Sequence, residues 1–255
     1  MTVELRKIGD DALLRLNRPD ALNALSFAII RDIAGALDEV ASWKVRSLVV
    51  TGAGDKAFCA GADIKELGGR SMIDCKRGAE MGQATFAKLD RLPFASVAAI
   101  NGFAFGGGLE LALACTFRVA TANAKLGLPE IKLGLIPGYG GTQRLPRVIG
   151  EARAMEMIMT GRTLGAEEAQ RIGLVHRLVE GDALDAALAF AHEFSGYSLL
   201  AQNFAREAVS RALDVPLLEG FKIEADLSTL AFRTTDAVEG MAAFTDKRKA
   251  NFKDE

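Results

Sequence analysis

GFAFGGGLELALAC, residues 102–115, joins a glycine cluster to an apolar run that carries one acid, Glu110. Glycine lets backbone approach a ligand closely. A helix opening at these glycines would aim unpaired N–H groups at whatever lies there, and such groups stabilise an anion, including one that forms only during a reaction. Glu110 follows Gly107 by three residues, which returns it to the same helical face. A carboxylate so placed can act on the atom whose charge the N–H groups hold. The competing reading is a solvent-exposed acid that favours the helix N-terminus. The apolar neighbours Phe105, Leu109, Leu111 and Leu113 weigh against full exposure and predict a raised pKa, suited to proton transfer.

A second acid follows twenty residues later in LGLPEIKLGLIPGYGGTQRLPR, where Glu130 succeeds Pro129 between apolar residues. Two carboxylates at one site allow one to serve as base and the other as acid; alone, Glu130 also reads as a helix-start acid. The loop IPGYGG adds glycines able to come close to a ligand. A third segment, KAFCAGADIKE at 56–66, supplies small residues with free N–H groups, then Asp63 and Lys65. It reads either as a second source of anion-stabilising N–H groups or as a plain loop into a short helix.

The elements that must position these residues alternate. VELRKIGDDALLRL reads as two strands around Gly9-Asp10, and Ser26 to Trp43 as a helix with Ile29, Ile33, Leu37 and Val40 on one face. Strand patterns recur at RSLVVTG, ASVAAINGFAF and FRVATANAKLG. Helical patterns cover Ser71 to Leu92, the run after Gly107, Glu151 to Met159 and Ala166 to Ile172, and beyond Gly181 the chain reads as almost wholly helical to the end. Strands and helices alternate for about the first two thirds, with helices alone after that. This predicts an α/β body with a helical C-terminal region.

Composition narrows the function classes. The chain has 255 residues, 49% hydrophobic and 25% charged, with a formal net charge of -2. Near-neutral charge argues against a nucleic-acid groove or a polybasic membrane anchor. No apolar run is long enough to span a bilayer. Cys59, Cys75 and Cys115 are odd in number and show no CxxC spacing, which points away from a disulfide framework or a zinc site and towards a reducing, cytoplasmic setting. His176 and His192 read as structural residues on apolar stretches. TGAGDKA at 51–57 matches G-x-G-x-x-A, with Asp74 as the corresponding ribose acid, and so raises a dinucleotide-dependent oxidoreductase as an alternative class. That fingerprint demands a helix starting at the glycines, whereas FCAGAD follows, so a strand and a tight turn is the favoured reading.

NRPDALNAL (17–25), AFCAGADIKEL (57–67), AAINGFAFGGGLELALACTFRVA (98–120), LPEIKLGLIPGYGGTQRLPRVIG (128–150), MTGRTLGAEEAQRIGLVHRLV (159–179) and AFTDKRKANFK (243–253) together resemble the crotonase, or enoyl-CoA hydratase/isomerase, superfamily. The likeness covers essentially the whole chain. It implies a spiral of ββα units over residues 1–195 that holds the active site, and a helical region, 196–255, used for trimer packing. Two trimers would stack into a homohexamer. The backbone N–H groups of Ala62 and Gly107 would form an oxyanion hole for the thioester oxygen of an acyl-CoA. Ala60, Asp63, Ile64 and Lys65 would bind coenzyme A, with Lys247 or a basic neighbour reaching phosphate. Glu110 would activate water for attack at the β-carbon, Glu130 would donate a proton to the α-carbon, and the Gly138 N–H would help place the water. The implied activity is an enoyl-CoA hydratase, with a Δ3–Δ2 enoyl-CoA isomerase as the same-fold alternative. No metal or redox cofactor is implied; coenzyme A is part of the substrate. A third class, an RNA-binding member, would want a basic helix or stripe, against which the near-neutral charge argues. Tyr139 departs from the small residue many members carry there.

Overall fold

The computed structural model describes residues 2–255. Strands β1 (Val3–Ile8) and β2 (Asp11–Leu16) form the expected hairpin, antiparallel, with Val3 opposite Leu16. Helix α1 (Phe27–Val40) starts where Ser26 Oγ accepts the Ile29 N–H at 3.2 Å, and it buries Ile29, Ile33, Leu37 and Val40. Capping removes an orphan donor, and the spacing of those four residues gives the helix one apolar stripe to bury.

A strand-strand-helix unit then repeats. The first is β3 (Ser47–Gly52) and β4 (Ala57–Cys59), followed by the short α2 (Ile64–Leu67) and the long α3 (Met72–Asp90). The second is β5 (Ala95–Ile100), β6 (Phe103–Phe105) and α4 (Gly107–Ala114). The third is β7 (Phe117–Thr121) and β8 (Lys125–Gly127), then a 3-10 helix at Pro129–Leu133 and α5 (Gly141–Ile149). Beyond lie α6 (Glu151–Thr160), β9 (Thr163–Gly165), α7 (Ala166–Arg171), β10 (Arg177–Val179) and α8 (Ala183–His192).

Each unit contributes one strand to each of two sheets. The larger sheet has the order β1-β2-β3-β5-β7-β10 and the smaller β4-β6-β8-β9. From β2 to β10 the larger sheet is parallel, and every residue of β3 and β5 is buried. Central parallel strands covered on both faces are predominantly apolar; the buried hydroxyls they do carry are paired, Ser47 donating to Asp11 at 2.7 Å and Ser96 accepting the Thr116 N–H at 3.1 Å. Because every unit turns a corner from one sheet to the other, the helix that follows starts beside the smaller sheet. This is the ββα spiral implied by the sequence resemblance.

The glycines of TGAGDKA do not open a helix. Gly54 takes φ +81° in the turn after β3, β4 follows, and the next helix begins only at Ile64. Asp74 belongs to the first turn of α3, where its N–H bonds to the capping Ser71 Oγ at 3.1 Å. The dinucleotide fingerprint therefore has no helix N-terminus to hold a pyrophosphate.

The chain divides into two compact units, one ending at Phe190 and the other running Ala191–Glu255. The second contains α9 (Leu199–Arg211), α10 (Leu217–Ala231) and α11 (Thr235–Thr245). The stretch beyond Gly181 is almost wholly helical, as expected, up to Thr245, where helix stops short of the end. The terminal stretch is held instead by buried Asp236, whose carboxylate accepts the N–H groups of Lys253 and Asp254 at 2.7 and 3.0 Å. No helix among the described residues is long and apolar enough to cross a membrane.

Candidate active site

Helix α4 is preceded by a backbone conformation that glycine adopts far more readily than other residues. Gly106, its N-cap, has φ +51° and ψ −125°, and its own N–H is spent on Gly127 O at 3.0 Å. The helix lies so close to β4 that a Cβ on Gly108 would stand 2.1 Å from the Cys59 carbonyl oxygen. The glycine cluster thus presses the first turn of α4 against the smaller sheet, and all eight residues of the helix are buried.

Two backbone N–H groups are left over where the segments meet. Gly107 is the first residue of α4, so its N–H has no helical acceptor. Ala62 forms a parallel bridge with Leu25, but the bridge uses its neighbours: Leu25 N–H bonds to Gly61 O and Asp63 N–H to Leu25 O, both at 2.8 Å. The Ala62 N–H takes no part in it. Both residues line one cleft of about 530 Å³, together with Ala60, Ile64, Gly138 and the two glutamates.

Glu110 is 1% exposed, which rejects the solvent-exposed reading. Its Oε1 accepts the backbone N–H groups of Tyr139 and Gly141, both at 2.7 Å. These come from the IPGYGG loop, so that loop holds the acid in place. Burial pushes the Glu110 pKa up to about 7; the Gly141 N–H opposes this, and the charge of Glu130 reinforces it. Glu130 sits on the 3-10 helix, half-buried, with its carboxyl raised above the usual range by burial. Its Oε2 is buried and lacks a hydrogen-bond partner among the described residues. An orphaned acceptor in a cleft marks a place where something else binds. Two carboxyls displaced towards neutrality can exist there with one ionised and one protonated.

The remaining expected residues are placed as follows. Asp63 caps α2 through the Lys65 N–H at 3.2 Å and pairs with Arg18 at 2.9 Å, a contact that holds its carboxyl below the usual range. Asp63 and the exposed Lys65 are not among the cleft's lining residues. Lys247 belongs to the C-terminal unit, just past α11, with φ +54°. His176 is structural: its Nδ1 accepts the Arg118 N–H at 3.2 Å, and burial and the Arg118 charge push its pKa down to about 4.

The family model described as Enoyl-CoA hydratase/isomerase matches residues 11–255. The chain belongs to the enoyl-CoA hydratase/isomerase family. It is 46% identical over 246 residues to a Rhizobium meliloti protein named probable enoyl-CoA hydratase, covering 96% of this chain and 95% of that one. A crotonyl-CoA hydratase of Syntrophomonas wolfei is 41% identical over 246 residues, 94% of each chain. The crystal structure of an enoyl-CoA hydratase from Bacillus anthracis shares 38% identity and superposes with a TM-score of 0.94 over 100% of both chains.

Within this family member, Asn23 is a supporting residue that sequence reading did not single out. It is buried with φ +57°, accepts the Arg18 N–H at 2.9 Å, and donates to the carbonyls of Ala53 and Ala57 at 2.9 and 2.8 Å. It ties the NRPDALNAL segment to the corner between β3 and β4. Its one available signal was its type, since asparagine tolerates the left-handed region better than most residues.

Proposed function

We propose that the protein is an enoyl-CoA hydratase that adds water reversibly to a trans-2-enoyl-CoA to give the 3-hydroxyacyl-CoA. One observation carries this reading: two carboxyls with raised pKa values line the same cleft as two backbone N–H groups left unpaired by the fold. Addition of water is slow because negative charge must build on the thioester oxygen. The N–H groups of Ala62 and Gly107 receive that oxygen, a kind of contact whose loss typically costs on the order of 100- to 1000-fold in rate. Glu110, fixed through Oε1, keeps its other oxygen for the water and acts as base. Glu130 delivers a proton to the α-carbon, and the Gly138 N–H helps to place the water. The bonds balance: hydroxide adds to the β-carbon, a proton adds to the α-carbon, and no electrons are gained or lost overall. The chemistry therefore calls for no redox cofactor, and coenzyme A enters as part of the substrate. Ala60 and Ile64, at the cleft, and Asp63 and Lys65 beside them are assigned to the coenzyme A moiety.

Isomerisation needs a single proton shuttle, so the presence of both carboxyls favours hydration. The test is incubation with crotonyl-CoA in heavy-oxygen water, followed by loss of the conjugated thioester absorbance and by mass spectrometry of the product. A hydratase places the label on carbon; a chain that leaves crotonyl-CoA and its longer 2-enoyl homologues unchanged is not one. Glu130→Gln should lower turnover roughly 100- to 10,000-fold.

The assembly we infer is a homo-oligomer, a hexamer built as a dimer of trimers. The support is the apolar surface of the C-terminal unit. Val209, Leu213, Leu217, Phe221, Phe232 and Phe244 are all exposed in the single chain, Phe244 to 88%. Exposed apolar area of this kind marks an interaction surface. Three free cysteines support a cytoplasmic location.

A further inference from the structure

Two glycines one turn apart on α3 seat two aromatic rings. A Cβ on Gly78 would stand 2.5 Å from Phe27 Cε1, and a Cβ on Gly82 would stand 2.2 Å from Tyr139 Cδ1. Neither position admits even a methyl group unless a ring moves. Phe27 and Tyr139 both line the cleft. The Tyr139 ring fills the gap between two helices: its other edge, Cδ2, lies 3.1 Å from where a Cβ on Gly107 would be. Phe86, one turn beyond Gly82, packs edge-on against it at 5.8 Å between centroids and 87° between planes. The Tyr139 N–H is bonded to Glu110 at 2.7 Å, which fixes the backbone from which the ring projects. The residue is 8% exposed and its ring is packed against Gly82, Gly107 and Phe86, so it is a wall and not a movable flap.

On the hydratase reading, on which this inference rests, the thioester oxygen lies at the Gly107 N–H and the β-carbon beside Glu110. The ring adjoins both. An acyl chain running on past the β-carbon meets it. We propose that Tyr139 is a specificity-determining residue that closes the acyl end of the cleft and restricts the enzyme to short-chain 2-enoyl thioesters. The ring does this by volume, with Gly82 as its matched partner on α3; its hydroxyl, which makes no hydrogen bond among the described residues, is not needed for it.

The experiment measures kcat/KM for crotonyl-, octenoyl- and dodecenoyl-CoA on the full chain and on Tyr139→Ala, Tyr139→Leu and Tyr139→Phe. The readout is the octenoyl-to-crotonyl ratio within one preparation, which is independent of the fraction correctly folded. One methylene too many in a fitted apolar pocket costs roughly 10- to 200-fold, so the wild-type ratio should lie at least about 100-fold below unity. Tyr139→Ala should raise it at least about tenfold, Tyr139→Leu less, and Tyr139→Phe should leave it unchanged. A flat wild-type profile overturns the inference, as does an unchanged ratio in both the alanine and leucine variants. A phenylalanine variant that shifts the ratio as far as alanine does would assign the effect to the hydroxyl and overturn the wall. A wild-type chain that hydrates none of the three thioesters refutes the hydratase reading itself, a result separate from any of these.

Discussion

Glu110→Gln should give a protein that is nearly inactive and yet, at alkaline pH, more stable than the wild type. Glutamine keeps an oxygen for the Tyr139 and Gly141 N–H groups, both at 2.7 Å, so the buried donors stay satisfied. What it loses is the ionisation. The native carboxyl titrates at about 7 against an ordinary 4.5, so the folded chain binds more protons than the unfolded chain between those values. Stability attributable to this group therefore falls as pH rises from 4.5 to 7 and stays low above it. At 1.36 kcal/mol per pH interval of one, the cost of ionising the buried acid comes to about 3 kcal/mol at pH 8. Urea unfolding of both proteins at pH 5 and pH 8 measures it. The glutamine variant should unfold at nearly the wild-type urea concentration at pH 5 and at a clearly higher one at pH 8. Turnover should drop by roughly 100- to 10,000-fold, the ordinary contribution of a general base, while wild-type activity should itself decline as pH falls below about 7. Parallel stability curves, with no gain at pH 8, would refute the claim that burial raises this carboxyl. Near wild-type turnover would refute its role as base.

Two further substitutions test the packing that carries the site. Gly108→Ala should destabilise the protein sharply or leave it insoluble, because the added methyl would stand 2.1 Å from the Cys59 carbonyl oxygen. Gly35→Ala, on the exposed side of α1 with nothing within 4 Å, should instead stabilise by about 1 kcal/mol; thermal melts of the two variants should move in opposite directions. Asn23→Ala removes three hydrogen bonds from a buried left-handed residue. It should cost roughly 3 kcal/mol or more, read as a lower urea midpoint, and an unchanged midpoint would show the corner to be self-supporting.

Much of the fold could be read locally. Ser26 and Ser71 announce α1 and α3 because capping is a contact between residues three apart. The apolar runs of β3 and β5 announce buried parallel strands, since no polar face alternates with them. The division of strands between two sheets is not local. Whether AFC at Ala57–Cys59 continues the first sheet or turns into a second depends on the corner that Asn23 ties, thirty and more residues away in sequence. The site divides in the same way. Gly107 and Glu110 share one helix turn and were legible together. The anchoring of Glu110 by Tyr139 and Gly141 was not, because a glycine loop shows that backbone can approach but not which atom it approaches. Gly78 and Gly82 gave no signal either: glycines inside a helical pattern read as weaknesses until the rings they admit are seen. The extended tail after Thr245 was hidden for a related reason, since Asp236 captures backbone N–H groups, and backbone carries no sequence signature.

Tyr139 holds Glu110 with its backbone and bounds the cleft with its side chain. Any residue but proline supplies that N–H, so the grip on Glu110 is indifferent to what position 139 encodes, while the bulk placed at that side of the cleft changes with it. Descendants of this chain can exchange that ring for a smaller group and acquire a new diet without relearning the reaction. Proline is the one replacement that would forfeit both at a single step.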